Sequence, residues 1–451
     1  MNKNATFRLM LLFLLLVRLS LSTQGQQQSA EVLTLDQATE LALRGNRLVL
    51  NSQLAVEKVE DQLAATRTLR YPAFNLYALG SQQLAALNFT FDQGVFGTYP
   101  GIGPVPATQT VIGTPVRPTA IIVGSVSQPL TQQYRIRLNL DQLKLGKSVA
   151  NEELRQQRQS TISDVKKLYY GILQSQSALR SNEQSVQLYR ELDRVTAEHV
   201  AIQTALRSQS LEVKAKLAQE EYEGLDLRNE LASQKEQLNN LLGRDIRTTF
   251  EVSPVPEPTT FEVDLVAAQN RALEQRPEIK EAQLKLQQSD IDRRIKKAEL
   301  IPDVSLGLNY VSPRNYSDFV PRNFATAGVI LSWDIFDWGK RNHELDGKRR
   351  STEQAKNGLI ETQNRVLIEV NTKFRKLQQA KELLRVARLS QEVAREKLRV
   401  AQNKYQLQAV LLSDVLQMQT GVIETDHQYQ QALLALWNAR ADFEKALGED
   451  E

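Results

Sequence analysis

The chain contains no cysteine, three histidines and three methionines. Without cysteine there are no disulfides, thiolate metal sites or cysteine nucleophiles, and no lipidated N-terminal cysteine. His199, His343 and His427 are far apart, and neither a nucleophile–base spacing nor a glycine-rich phosphate loop accompanies them. Nothing therefore points to an enzyme, and no metal or cofactor is expected. Long apolar runs are also missing. Only residues 9–17 approach one, well short of the ~18–20 residues of a spanning helix. Charge of one sign is scarcely in excess: 56 Lys and Arg face 53 Asp and Glu, a formal +3. No basic cluster supports nucleic-acid binding.

Lys3 and Arg8 precede the apolar run, and Ser20, Ser22, Thr23 and Gly25 follow it. Residues 1–25 read as a secretory signal peptide. A short membrane anchor is the alternative, and Arg18 interrupts it. Removing Lys3, Arg8 and Arg18 removes the whole +3 and leaves a formally neutral mature chain.

At ~150 residues per domain the length suggests three domains, but the chain repeats itself. Shifted by 230 residues, Ala38, Ala42, Leu43, Pro72 and Leu76 fall on Ala268, Ala272, Leu273, Pro302 and Leu306. Shifted by 205, Ser127, Val165, Leu179, Ser208, Leu242 and Gly243 fall on Ser332, Val370, Leu384, Ser413, Leu447 and Gly448. The expected organisation is a first repeat over 26–243, a linker over 244–263 containing Pro254, Pro256 and Pro258, and a second repeat over 264–451. The first copy carries 25 extra residues between Pro72 and Ser127, where the Gly/Pro-rich stretch 93–118 reads as a long loop. Each repeat reads helix, strand, loop, strand, very long helix, turn, helix.

The very long helices cover about 146–206 and 347–402, without proline. Sixty residues at 1.5 Å rise is roughly 90 Å, more than a globular core needs. In the second repeat Val370, Leu377 and Leu384 recur every seven residues, with Ala380, Ala387 and Ala394 at the partner position. Val422, Leu436 and Phe443, with Ala432, Ala439 and Ala446, answer on the returning helix. Large residues facing alanine let antiparallel helices approach closely. The first repeat is looser, with Ser175 and Asn182 on its seam. A soluble coiled coil is the alternative, against which the signal peptide and the intervening strands count. The two turns fall near 205–210 and 408–413, where Ser208 and Ser413 are expected to cap the returning helices.

From Pro302, Val304, Leu306, Leu308 and Tyr310 alternate with Ser305, Gly307 and Asn309. Residues 325–334 alternate in the same way, and Phe74, Leu76 and Ala78 open the equivalent strand of the first repeat. Residues 71–100 and 301–340 hold 14 of the 28 aromatics. Alternation edged by aromatics marks transmembrane β-strands; a soluble sandwich is the alternative on pattern alone. Four strands cannot close around a pore, because barrels begin at about eight. The chain must therefore oligomerise, and three copies would supply twelve strands.

At this point the chain resembles the TolC-like outer-membrane efflux proteins over essentially its whole mature length. The resemblance rests on Leu33-Thr34-Leu35-Asp36-Gln37-Ala38, Arg276-Pro277-Glu278-Ile279 and Ala298-Glu299-Leu300-Ile301-Pro302. It rests also on Ser332-Trp333-Asp334-Ile335-Phe336-Asp337-Trp338-Gly339, on Tyr405 with Ser413-Asp414-Val415-Leu416, and on Ala446-Leu447-Gly448. The resemblance implies an α+β membrane protein on an internal two-fold sequence repeat. Long antiparallel helical hairpins would form an α-barrel through the periplasm, and four strands per chain would contribute to a twelve-stranded trimeric β-barrel in outer-membrane lipid. It implies a homotrimer, docked on a periplasmic adaptor and an inner-membrane transporter, that conducts drugs, metal ions or proteins outward without chemistry of its own. Type I protein secretion is the alternative within the family; a secreted coiled-coil scaffold without a pore is the alternative outside it. In the family two acidic residues three apart ring the pore entrance. Asp414 matches the first, and Gln417 stands where the second would be. An exposed aspartate favoured by the helix dipole is the competing account of Asp414. Ser208, Ser413 and Tyr405 mark the periplasmic tips.

Overall fold

The computed structural model describes residues 31–114, 116–203, 206–255, 264–315, 321–407 and 409–450, with the side chains of 114, 405, 406 and 412 left aside. The expected signal peptide, Gln408 of the second turn and residues 256–263 of the expected linker lie outside the described residues. The elements run β1 (Glu31–Leu33), α1 (Leu35–Gly45), α2 (Arg47–Thr68), β2 (Ala73–Gln82), β3 (Leu87–Phe91), β4 (Thr98–Tyr99), β5 (Gly103–Pro104), β6 (Thr110–Thr114) and β7 (Pro118–Pro129). They continue α3 (Gln132–Ala201), α4 (Arg207–Leu241), β8 (Phe250–Val252), α5 (Leu265–Gln275), α6 (Pro277–Ala298), β9 (Asp303–Arg314), β10 (Phe324–Ser332), α7 (Lys340–Gln406) and α8 (Leu412–Leu447).

Several elements differ from the sequence expectation for local reasons. The helix before each first strand is two helices. Asn46 ends the first piece and caps the next, its Oδ1 accepting from Leu48 N and Val49 N at 2.9 and 3.3 Å. In the second copy Pro277 at the first helical position makes the break, since proline cannot continue the preceding ladder. The long helices begin earlier than expected, at Gln132 and Lys340. The stretch read as a loop contains nested hairpins, β3 with β6 and β4 with β5. Glycines at positive φ, among them Gly94, Gly97, Gly101 and Gly103, supply the bends.

Contacts divide the chain into two compact units. One takes the chain up to Leu50, Arg158–Leu265 and everything from Asn371 on; the other takes Asn51–Gln157 and Val266–Val370.

In the first unit, β1 and β8 form a parallel pair, with Leu33 opposite Val252. The fully buried Tyr169 hydroxyl lies 2.8 Å from the carbonyls of both Leu33 and Ser253. Leu377, Leu384, Ala380 and Ala387 of α7 are buried, as are Val422, Leu436, Phe443, Ala432 and Ala446 of α8. Phe374 and Phe443 meet with ring centroids 6.2 Å apart. Asn182 occupies the α3–α4 seam, donating to the Glu220 carbonyl and carboxylate at 3.0 Å. It fits because Gly224 faces it; a Cβ there would stand 2.5 Å from Asn182 Oδ1.

Asp442 of α8 joins three helices. Its Oδ1 meets Lys167 Nζ of α3 at 2.5 Å and its Oδ2 meets Lys373 Nζ of α7 at 2.6 Å. Burial pushes the carboxyl up, but the two lysines pull it down further, so it ends below its ordinary value. Beside it Lys166 pairs with Glu444 at 2.9 Å, and Tyr170 stacks on Trp437 with centroids 5.0 Å apart.

In the second unit, buried Arg276 holds Glu278 and Glu369, each at 2.8 Å, tying α6 to α7. The sheet of this unit has the order β10-β9-β7-β2 and is antiparallel throughout. No described helix is long and apolar enough to cross a membrane.

Two expected outcomes test these packing claims. Gly243 ends α4 at φ +72°, and a Cβ there would lie 1.9 Å from the Gly45 carbonyl oxygen. Gly243→Ala combines left-handed strain with a backbone clash and should cost more than about 3 kcal/mol, read as a lowered denaturation midpoint. The folded-state carboxyl of Asp442 titrates below the unfolded one, so its contribution is complete above the ordinary aspartate value of about 4. It is lost as pH falls through the folded value. Asp442→Asn should therefore lower thermal stability at neutral pH, and the gap to wild type should close on acidification; a constant gap down to pH of about 3 would count against the assignment.

Candidate functional site

The register divides the sheet into two faces. Leu331, Val329 and Ala327 of β10 lie across from Val304, Leu306 and Leu308 of β9. Leu308 lies across from Val126 of β7, and Val126 from Phe74 of β2. With Tyr310, Gly124 and Leu76 these residues make one continuous apolar face. Phe74 is 77% exposed, Leu76 74% and Val329 66%. The opposite face carries Asp303, Ser305, Asn309, Ser125, Ser127 and Asn75 near its helix-bearing end. A sheet that shows its apolar face to the outside fits lipid rather than water. Both outer strands, β2 and β10, pair on one side only.

The tip residues lie in the first unit. Asp414 and Gln417 sit one turn apart near the start of α8, both exposed. Asp414 Oδ2 accepts from Leu411 N at 3.1 Å. In the first repeat Gln209 Oε1 accepts from Leu206 N at 3.2 Å. Ser208 and Ser413 are exposed second residues of α4 and α8, not their caps. The cap positions are Leu206 and Leu411. Because leucine has no acceptor, the third helical residue reaches back to the free backbone amide instead. Gln209 is the capping counterpart that sequence reasoning missed, although the 205-residue shift sets it against Asp414. Tyr405 lies in the last turn of α7, and its side chain is outside the described residues.

Between the α3–α4 and α7–α8 hairpins runs a groove of about 1740 Å³. Gln209, Ser413 and Gln417 line it, together with His199, Lys216 and Glu424. It therefore brings Ser413 and Gln417 together; Asp414 and Ser208 are not among its lining residues. No group of three or more His, Asp or Glu among the described residues could hold a metal ion.

The comparisons bear on this architecture. The profile of the family described as "Outer membrane efflux protein" matches residues 268–449, most of the second repeat. No curated protein sequence matches the chain. The chain is similar to the outer-membrane channel OprN, with 19% identity, TM-score 0.74, and coverage of 92% of this chain and 89% of that one. It is similar to the CmeC outer-membrane channel of Campylobacter jejuni, with 16% identity, TM-score 0.75, and coverage of 92% and 85%. It is similar to the open state of the MtrE outer-membrane channel of Neisseria gonorrhoeae, with 16% identity, TM-score 0.71, and coverage of 92% and 89%. At these identities the likeness to solved structures is one of fold. The second repeat thus matches the outer membrane efflux protein family, and the fold of these outer-membrane channels extends over nine-tenths of the chain.

Proposed function

We propose that the protein is the outer-membrane channel of a tripartite export system, a passive duct that carries drugs, metal ions or other substrates outward and performs no chemistry. The observation that carries this reading is the four-stranded sheet, with its apolar face and its two unpaired edges. In a bilayer every backbone polar group needs a partner, so an open sheet must close on itself or on copies of itself. Four strands are too few to enclose a pore, whereas three copies give twelve. The edge of β10 in one chain then pairs with the edge of β2 in the next, a heterologous contact that closes as a ring.

The partners follow from the family. A periplasmic adaptor and an inner-membrane transporter supply the substrate and the energy, because the duct has neither. The long helices α3, α4, α7 and α8 extend into the periplasm and carry the tips that meet those partners. A scaffold without a pore leaves the apolar sheet face unexplained.

Two measurements test this. The detergent-solubilised protein should have the mass of three chains by light scattering and should form conducting channels in planar bilayers; a stable monomer without conductance would overturn the reading. At the tip, Asp414 would contribute one ring of three carboxylates that favours cations. Asparagine keeps an acceptor for the Leu411 amide, so Asp414→Asn removes the charge and leaves the cap. The reversal potential in a salt gradient should move toward lower cation selectivity, and an unchanged value would sink the ring.

A further inference from the structure

The strand register places four chain junctions at one end of the sheet. Ala73, which opens β2, is opposite Ser127 near the end of β7, and Asp303, which opens β9, is opposite Ser332, which ends β10. The joints between α2 and β2, β7 and α3, α6 and β9, and β10 and α7 therefore form one rim, all within the second unit.

Large apolar groups point outward from this rim. Tyr71 is 69% exposed, Ile335 80%, Phe336 73% and Trp338 88%. The β10–α7 joint is built to hold them there. Trp338 sits at φ +57°, a conformation a bulky side chain adopts only when its surroundings enforce it. Asp337 accepts from Gly339 N and Arg341 N at 3.1 and 3.2 Å. The Arg341 guanidinium pairs with Asp334 and donates to its carbonyl at 3.2 Å. Phe336 packs edge-on against Trp338 with centroids 4.9 Å apart.

The charge at this rim is unbalanced. Its carboxylates are already engaged: Asp303 by Arg135, Asp334 and Asp337 by Arg341, and Glu299 and Glu344 by Lys296. Arg67, Arg70, Lys297 and Lys340 are exposed. No salt bridge among the described residues takes up any of them. Exposed cations beside outward tryptophan, continuous with an apolar face, match the boundary where phosphates meet acyl chains.

We propose that this rim binds the headgroups of anionic phospholipids in the leaflet facing the helices, with Trp333 and Trp338 seated at the acyl boundary. The inference rests on the membrane reading above and adds lipid selectivity to it. The test reconstitutes the full chain into phosphatidylcholine vesicles and into equal mixtures of phosphatidylcholine and phosphatidylglycerol. Lipid retained after detergent extraction is then quantified. Wild type should retain phosphatidylglycerol preferentially, and brominated phosphatidylglycerol should quench Trp333 and Trp338. Replacing Arg67, Arg70, Lys297 and Lys340 by glutamine should weaken the preference roughly fivefold per cation, while the oligomer and its insertion into phosphatidylcholine persist. Replacing Lys214 and Lys216 of α4 instead should leave the preference intact. Equal retention of the two lipids by wild type, or an unchanged preference in the fourfold variant, would overturn the proposal while the membrane reading stands. Failure to insert into either lipid would overturn both.

Discussion

A peptide group without a partner in hydrocarbon costs several kcal/mol, and an open sheet always has two rows of them. In the proposed function that constraint governs this chain. The inner strands β7 and β9 have partners on both sides, β2 and β10 on one side only, and the apolar face is exposed. At the ends of its long helical hairpins the chain satisfies the requirement by local means. Gly243 and Gly448 turn the last carbonyls of α4 and α8 into bonded caps through positive φ. Gln209 and Asp414 answer the first free amides of the same helices. The sheet edges call for a second chain, and in the proposed function that call makes the oligomer.

The helical unit rests on two kinds of seam. Between α7 and α8, leucine and alanine are buried, and Gln391 and Lys373 add polar ties to Asp426 and Asp442. Between α3 and α4, a buried asparagine sits over a glycine and bonds to Glu220. Buried polar groups of this kind cost stability unless fully bonded, and they fix register more than they add cohesion. Asp442 works across the seams. One carboxylate with two lysines fixes the level of α8 against α3 and α7 together.

Much of this could be read from residue order, and the physical reasons for success and failure are specific. The long helices and the four sheet strands announce themselves because periods near 3.5 and 2 persist over many residues. The apolar face was visible in Val304, Leu306, Leu308 and Tyr310 before any register was known. Short features left no such trace. β1 and β8 are three residues each, too few for a period, and their pairing partner lies across the first repeat. The nested hairpins between β2 and β7 were hidden by glycine and proline, which mark turns without telling a loop from a tight hairpin. At the tips serine misled, because a good cap residue next to a helix start need not occupy the cap. The pore roles proposed for Asp414 and Gln417 depend on other copies of the chain, which no single sequence displays.

The β1–β8 clasp has a consequence for the order in which the chain can assemble. Leu33 is made early, yet its hydroxyl donor Tyr169 comes 136 residues later, and Ser253, which shares that hydroxyl, a further 84. The clasp cannot close until the first hairpin and the start of the linker have been delivered. Contacts of such long range form slowly, because the loop must be closed before any bond rewards it. Until then Leu33, Phe250 and Val252, all buried in the finished fold, are open to water and to each other's wrong partners. The last fastening of the first repeat is thus made by its first strand, and an interrupted chain ending before Phe250 would be left with that strand unpaired.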